Sequence, residues 1–286
     1  MINEKLFALL QQVIPQHLLS RLIGRLAECE KPAIKNYIIK SFAKQFNVDL
    51  SEAKIEQAEG FSHFNDFFTR ELKEGMRPIC PLEDSIVSPA DGAVSELGNI
   101  DLGSIMQAKG QYYSLVDLLA GDLDATDTYL GGKFATIYLS PKDYHRVHMP
   151  VDGRLTKMSY VPGRLFSVNQ ATANQIPGVF ARNERLICHF ESEQGPFVLI
   201  LVGAMIVAGI ETVWAGQVTP LSATVQHQQY GNGDHIELKK GEEMGRFKLG
   251  STAIILFPKG RNAWSTALKN GTPLKMGETI GSLSPS

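Results

Sequence analysis

Phe247-Lys248-Leu249-Gly250-Ser251-Thr252-Ala253-Ile254-Ile255-Leu256-Phe257 is the stretch from which the rest of the chain can be read. Its last five residues are an unbroken apolar run, the pattern of a strand buried on both faces. Glycine reaches backbone angles closed to other residues, so the side chain after Gly250 can fold back onto the Gly250 carbonyl. A Gly-Ser-Thr step into a buried strand therefore admits two readings. One is a strand entry built from small residues. The other is a Ser251 hydroxyl aimed at its own peptide bond. No Gly-x-Ser-x-Gly elbow surrounds Ser251, which turns this serine away from external acyl substrates and toward its own backbone.

The surrounding texture from Ile86 onward is β-rich. Short apolar or alternating runs, such as Phe134 to Leu139, Arg154 to Tyr160, Leu186 to Phe190 and Val198 to Val207, are punctuated by Gly and Pro. The spacing predicts a sandwich or a barrel-like body. Ahead of it the periodicity is helical. Leu6, Leu10, Val13 and Ile14 share one face, as do Leu18, Leu19, Leu22, Ile23 and Leu26, and Pro15 separates the two blocks. Lys5, His17, Arg21 and Arg25 supply a cationic side. Such helices either pack on the body or lie in a membrane interface, with the apolar stripe among acyl chains. Pro32 opens a further helix through Phe42, and Ser51-Glu52-Ala53-Lys54 predicts a short one capped by Ser51. The fold class expected is thus α+β, with helical residues 1–60 ahead of a β-rich body over 61–286.

Composition narrows the function. The 286 residues are 43% hydrophobic and 20% charged, enough to bury a substantial core. A net charge of −2 gives no case for nucleic acid. Three widely spaced cysteines, Cys29, Cys80 and Cys188, form no disulfide framework or metal spacing and fit a reducing compartment. The apolar run Phe197 to Ile210 is too short to span a bilayer and reads as a strand pair. Gln11, Gln12, Pro15 and His17 interrupt any secretory signal at the N-terminus.

Three clusters join Ser251 as candidates for chemistry. Asp91 sits in the rigid turn Ser88-Pro89-Ala90-Asp91-Gly92, where it can simply satisfy turn amides or can orient a base. His145 and His148 lie in the proline-bounded segment Pro141 to Pro150, so one ligand can meet both. No further ligands stand at metal spacing, and acid–base work requires only a positioned imidazole. Val161 to Asn169 offers Arg164, Ser167 and Asn169 to a polar head group. Phe61, Phe64, Phe67 and Phe68 are expected in the core, with Arg70 and Arg77 beside them as partners of carboxylates or of an anionic ligand.

Taken together these segments resemble the phosphatidylserine decarboxylases, pyruvoyl-dependent enzymes made by self-cleavage at Leu-Gly-Ser-Thr. The resemblance rests on Phe67-Phe68-Thr69-Arg70-Glu71-Leu72 with Arg77-Pro78, Pro89-Ala90-Asp91-Gly92, Lys109-Gly110 with Tyr113-Ser114-Leu115, and Tyr144-His145-Arg146-Val147-His148-Met149-Pro150. It continues through Leu165 to Asn169, Asn183-Glu184-Arg185, Val202-Gly203-Ala204 and Leu249 to Thr252, in family order. It implies that Asp91, His148 and Ser251 process the chain between Gly250 and Ser251. It implies that His145 serves decarboxylation, that Ser167 bounds the substrate pocket, and that the cofactor is a pyruvoyl group derived from Ser251 with no metal. It further implies a large and a small chain from one precursor, acting on phosphatidylserine as a peripheral protein on the cytoplasmic face of the membrane. Two rival readings are a serine peptidase that cleaves itself and stops, and a biotinyl- or lipoyl-type carrier sandwich with Lys275 in a Gly271–Gly281 hairpin.

Overall fold

The structure is a computed structural model that describes residues 4–108, 110–205, 209–219, 222–231, 233–248 and 251–284. Lys109, Val207, Leu249, Gly250 and the side chain of Lys5 lie outside the described residues.

The apolar run that opened the reading is the centre of the fold. Ser251–Phe257 is a strand in a nine-stranded antiparallel sheet, hydrogen-bonded to Gly195–Val202 on one side and to Lys133–Leu139 on the other. The sheet extends outward through Arg185–Ser192, Gly153–Val161 and Gln226–Gln229 in one direction, and through Gly92–Asn99 and Pro273–Leu274 in the other. Glu237–Leu238 also pairs with Gly153–Val161. Among the described residues its two ends do not meet, so the body is an open sheet rather than a closed barrel. Both faces are covered. Ala253, Ile255 and Phe257 enter one core with Leu139, Val147, Leu186 and Leu201; Ile254 and Leu256 enter a second with Tyr113, Phe134, Phe180 and Val198. Two cores explain why the run is apolar without alternation.

A four-stranded sheet (Gly216–Gln217, Ile210–Thr212, Glu243–Phe247 and Arg146–His148) lies beside the first. The chain leaves this smaller sheet at Phe247 and enters the centre of the larger one at Ser251. The sequence between them is therefore a crossover from sheet to sheet.

The N-terminal helices form as the periodicity predicts: α1 (Glu4–Val13), α2 (Gln16–Ala27) and α3 (Pro32–Phe46). Their orientation is unusual for a soluble protein. Ala8, Gln11, Gln16, Ser20 and Ala27 face the body, while Val13 is 84% exposed and Leu18, Leu22 and Leu26 are each about half exposed. Among the described residues no helix is long and apolar enough to cross a membrane. Helix α4 (Phe64–Phe68) adds Phe64, Phe67 and Phe68 to Phe61 and Ile39 in a separate aromatic cluster, as expected of core phenylalanines.

Two local expectations fail. Residues 51–54 form a turn, not a helix. The Ser51 N–H bonds the Asp49 carboxylate, and backbone bonds from Lys54 to Glu71 and from Lys73 to Glu52 tie the segment to a neighbouring extended stretch. Cross-chain pairing outweighs the weak local helix signal. The Gly271–Gly281 hairpin is also absent: Pro273–Leu274 joins the large sheet, whereas Thr279–Leu283 joins Ser85–Val87 and Asn262–Trp264 in a third sheet.

Candidate active site

The sheet crossover brings the candidate residues into one region. Phe247 donates its N–H to the His145 carbonyl at 3.0 Å, and Lys248 donates to the Gly209 carbonyl at 2.9 Å, fixing the chain as it leaves the smaller sheet. Ser251 then pairs with Leu139. Its side chain is fully buried, and among the described residues its Oγ has no hydrogen-bond partner. A buried hydroxyl without a partner costs about 1–3 kcal/mol relative to a satisfied one, so its retention calls for a reason.

His145 is held as a neutral base. Its Nδ1 lies 2.8 Å from the Asp143 carbonyl, which can only accept, so Nδ1 carries the proton and Nε2 keeps its lone pair. That Nε2 is buried and has no partner among the described residues. Burial, with a smaller effect from the Arg70 guanidinium, drives the pKa down to about 3 against the Asp143 hydrogen bond. The Phe68 ring packs on the imidazole at 4.0 Å between centroids.

His148 has the same tautomer for the same reason. Nδ1 donates to the Gly241 carbonyl at 2.8 Å, leaving Nε2 to accept from the Tyr144 hydroxyl at 3.1 Å. Burial holds its pKa below the usual range, and the Gly241 bond and the Glu243 and Asp91 carboxylates partly offset this. The Asp91 carboxylate is itself engaged elsewhere, accepting from Arg77 Nε at 2.8 Å and 3.1 Å, from Arg77 Nη2, and from the Met276 N–H at 2.9 Å. Backbone links bring His148 and Asp91 close, since the His148 N–H bonds the Pro89 carbonyl in the Asp91 turn. The hydrogen bonds of the described residues do not run from Asp91 through His148 to Ser251. Asp91 is bonded to Arg77 instead, and the two nitrogens of His148 to the Gly241 carbonyl and the Tyr144 hydroxyl.

The two arginines separate. Arg77 is the partner of carboxylates, Asp91 and Glu52. Arg70 is buried and donates Nη2 to the Lys142 and Asp143 carbonyls, so that the Asp143 carbonyl joins Arg70 to His145. Gly92 follows Asp91 because a Cβ there would meet the Tyr138 carbonyl oxygen at 2.2 Å.

Ser167 lies in a loop pinned by the first two helices. Gln11 accepts from the Ser167 N–H at 2.7 Å and donates to Thr172 Oγ1, and Gln16 accepts from the Leu165 N–H at 2.8 Å. His17 reaches the Gly163 carbonyl. These residues, with Tyr144, escaped the sequence reading as contributors to the site. The signal was present: Gln11, Gln16 and His17 are the polar breaks in an otherwise apolar pattern.

Comparison with known proteins gives a consistent result. A family model described as phosphatidylserine decarboxylase matches residues 64–282, and a second, described as PSD, matches residues 6–47. The chain is 56% identical over 281 residues to a phosphatidylserine decarboxylase proenzyme of Alcanivorax borkumensis, covering 98% of this chain and 97% of the relative. It is 54% identical over 280 residues to that of Hahella chejuensis, covering 98% and 94%. Against that of Pseudomonas fluorescens it is 54% identical over 281 residues, covering 98% of each.

Proposed function

Because this chain belongs to the phosphatidylserine decarboxylase family, we propose that it cleaves itself between Gly250 and Ser251 and then converts phosphatidylserine to phosphatidylethanolamine and carbon dioxide. The observation that carries this reading is the Ser251 hydroxyl, buried and without a partner among the described residues, at the head of the central strand and directly after Gly250 in sequence. A side chain with no structural hydrogen bond to lose fits a role in which it is consumed.

Self-cleavage requires a base for Ser251 Oγ. His148 serves, once its Nε2 exchanges the Tyr144 hydroxyl for the serine, and Asp91 stabilises the resulting imidazolium through its field. The serine oxygen bonds the Gly250 carbonyl carbon as the amide C–N bond breaks, and the proton passes to the freed nitrogen. Removal of the Ser251 α-proton expels the upstream chain as a carboxylate. Water then replaces the nitrogen, which leaves as ammonia, and residue 251 becomes a pyruvoyl group.

That group supplies the conjugated electron sink that loss of carbon dioxide from an amino acid requires. No metal enters the scheme. His145 Nε2, unprotonated and without a partner among the described residues, takes the proton shed by the substrate ammonium and returns it to the carbon that has lost carbon dioxide. Ser167, tied to α1 through Gln11, bounds the pocket. Residues 1–60 act as the membrane-association region and 61–286 as the catalytic body. The exposed leucines of α2 support a peripheral position on a membrane, and the face assigned to it is the cytoplasmic one that the family resemblance implies. The 36-residue small chain stays with the large one because its first strand is central in the large sheet.

The test is turnover of phosphatidylserine vesicles without added pyridoxal phosphate. The wild-type chain should release carbon dioxide and accumulate phosphatidylethanolamine, and Ser251→Ala should do neither. Consumption of free amino acids with phosphatidylserine untouched refutes the assignment.

A further inference from the structure

Glu184 is a carboxylate set into the core in line with Ser251. Arg185 pairs with Val202, and Val202 with Thr252, while the Gly203 N–H donates to the Glu184 carbonyl at 2.8 Å. Continuing that register puts Gly203 between Glu184 and Ser251 across adjacent strands. Side chains alternate between faces along a strand. Glu184 has the parity of Leu186 and Cys188, Ser251 that of Ala253 and Ile255, and all four of those neighbours pack into the same core. The intervening residue is a glycine, and the space where its Cβ would point is taken by Leu165, whose Cδ2 stands 3.7 Å from that position. Two strand spacings put their backbones about 10 Å apart.

Glu184 is only 4% exposed. Its Oε2 accepts from the Tyr160 hydroxyl at 2.9 Å. Burial pushes its pKa up, and Tyr160, His17 and Thr219 only partly offset this. The side chain lines a cavity of about 910 Å³ between α2 and the body, whose walls also carry Arg21, Arg25, Leu165 and Lys248. Lys248 is committed to Glu211 at 2.6 Å. Arg21 donates Nε to the His17 carbonyl, and among the described residues neither Arg21 nor Arg25 forms an ion pair. A deep carboxylate and an arginine-bearing wall thus face one space, whose lining also includes Lys248, three residues before Ser251. Leu18, Leu22 and Leu26 point outward on the side of α2 next to these arginines, since Leu18 and Arg21, and Leu22 and Arg25, stand three residues apart on one helix.

We propose that this cavity is the headgroup site for an amino-phospholipid, with Glu184 receiving the ammonium and the α2 wall of Arg21 and Arg25 receiving the phosphodiester. The ammonium meets the carboxylate at depth, where the amine must approach residue 251, and the phosphodiester meets the arginines of the helix that faces the lipid surface; Glu28, also in the lining, is paired with Lys248 at 3.6 Å. The phosphodiester at the arginines then sits beside the leucines of the same helix, where acyl chains would lie. A desolvated carboxylate gains from an incoming ammonium what burial denied it. The inference rests on the function proposed above, since that function requires an amine to reach residue 251.

The test uses the full chain carrying Ser251→Ala, which holds no carbonyl, so that all binding is noncovalent. Calorimetry compares glycerophosphoserine with glycerophosphoglycerol, which keeps the phosphodiester and lacks both the amine and the carboxylate of serine; loss of the Glu184 charge weakens binding only through the amine, since it would relieve repulsion of the carboxylate. Adding Glu184→Gln should weaken glycerophosphoserine about tenfold, a charge-assisted hydrogen bond's worth, and leave glycerophosphoglycerol unchanged. Adding Arg21→Gln with Arg25→Gln should weaken both ligands. Glu184→Asp, with the charge on a shorter arm, should keep part of the amine preference. Equal weakening of both ligands by Glu184→Gln, or no change in either, overturns the proposal. So does the absence of any amine preference in the parent chain. Amine preference in a protein whose wild-type form neither cleaves nor decarboxylates keeps the site and removes the activity; decarboxylation without that preference does the reverse.

Discussion

His145 and His148 stand three residues apart, share a tautomer and are both buried, yet their free nitrogens meet different partners. His148 Nε2 faces the Tyr144 hydroxyl in a region shared with Asp91 and Arg77, whereas His145 Nε2 faces no partner among the described residues. The division of labour proposed above follows from this contrast. His148→Ala and Asp91→Asn should slow appearance of the small chain at least about 100-fold on a gel time course. His145→Ala should cleave normally and then decarboxylate about 100-fold more slowly. A reversed pair of phenotypes would exchange the two roles. The sequence made these residues legible because the motif letters name the chemistry: a serine after glycine, two histidines in a rigid segment, an aspartate in a Pro/Gly turn. It did not make the wiring legible. That Arg77 holds Asp91 and that Gly241 holds His148 depend on separate segments brought together in the fold, and that Tyr144 caps His148, four residues on, depends on how their shared segment bends.

Elements were read well where periodicity was long and poorly where a few residues had to decide. Helices α1 to α3 and the central strand follow their hydrophobic patterns closely. The four residues from Ser51 carry too little helical drive to resist pairing with Glu71 and Lys73, and the Gly271–Gly281 segment, locally hairpin-like, sends its two strands to different sheets. The helix pair adds something that periodicity alone left open. Gln11 and Gln16 bind the Leu165–Ser167 backbone, which leaves the leucines of α2 to face outward. Replacing Leu18, Leu22 and Leu26 together with serine removes about 1 kcal/mol of interfacial burial per site, given their half exposure. Sedimentation with anionic vesicles should fall by roughly 100-fold in partition coefficient, while self-cleavage proceeds. Unchanged sedimentation would mean that the outward face does not hold the protein on lipid.

At the scale of the whole molecule, the chain is arranged so that one backbone crossover matters more than any other. The smaller sheet carries His148 and ends at Phe247; the larger sheet begins its central strand at Ser251. A cut between them severs no strand, and every backbone partner of Ser251–Phe257 remains in place. Such a molecule can break its own chain without unfolding, and the new end stays in the centre of the fold. The most direct measurement is the intact mass of the purified wild-type protein under denaturing conditions. The account predicts two chains, residues 1–250 and residues 251–286, with the smaller one lighter by one ammonia than a serine-terminated peptide and reactive toward a carbonyl reagent. A single full-length mass, or a small chain that begins with an unmodified serine, would contradict it.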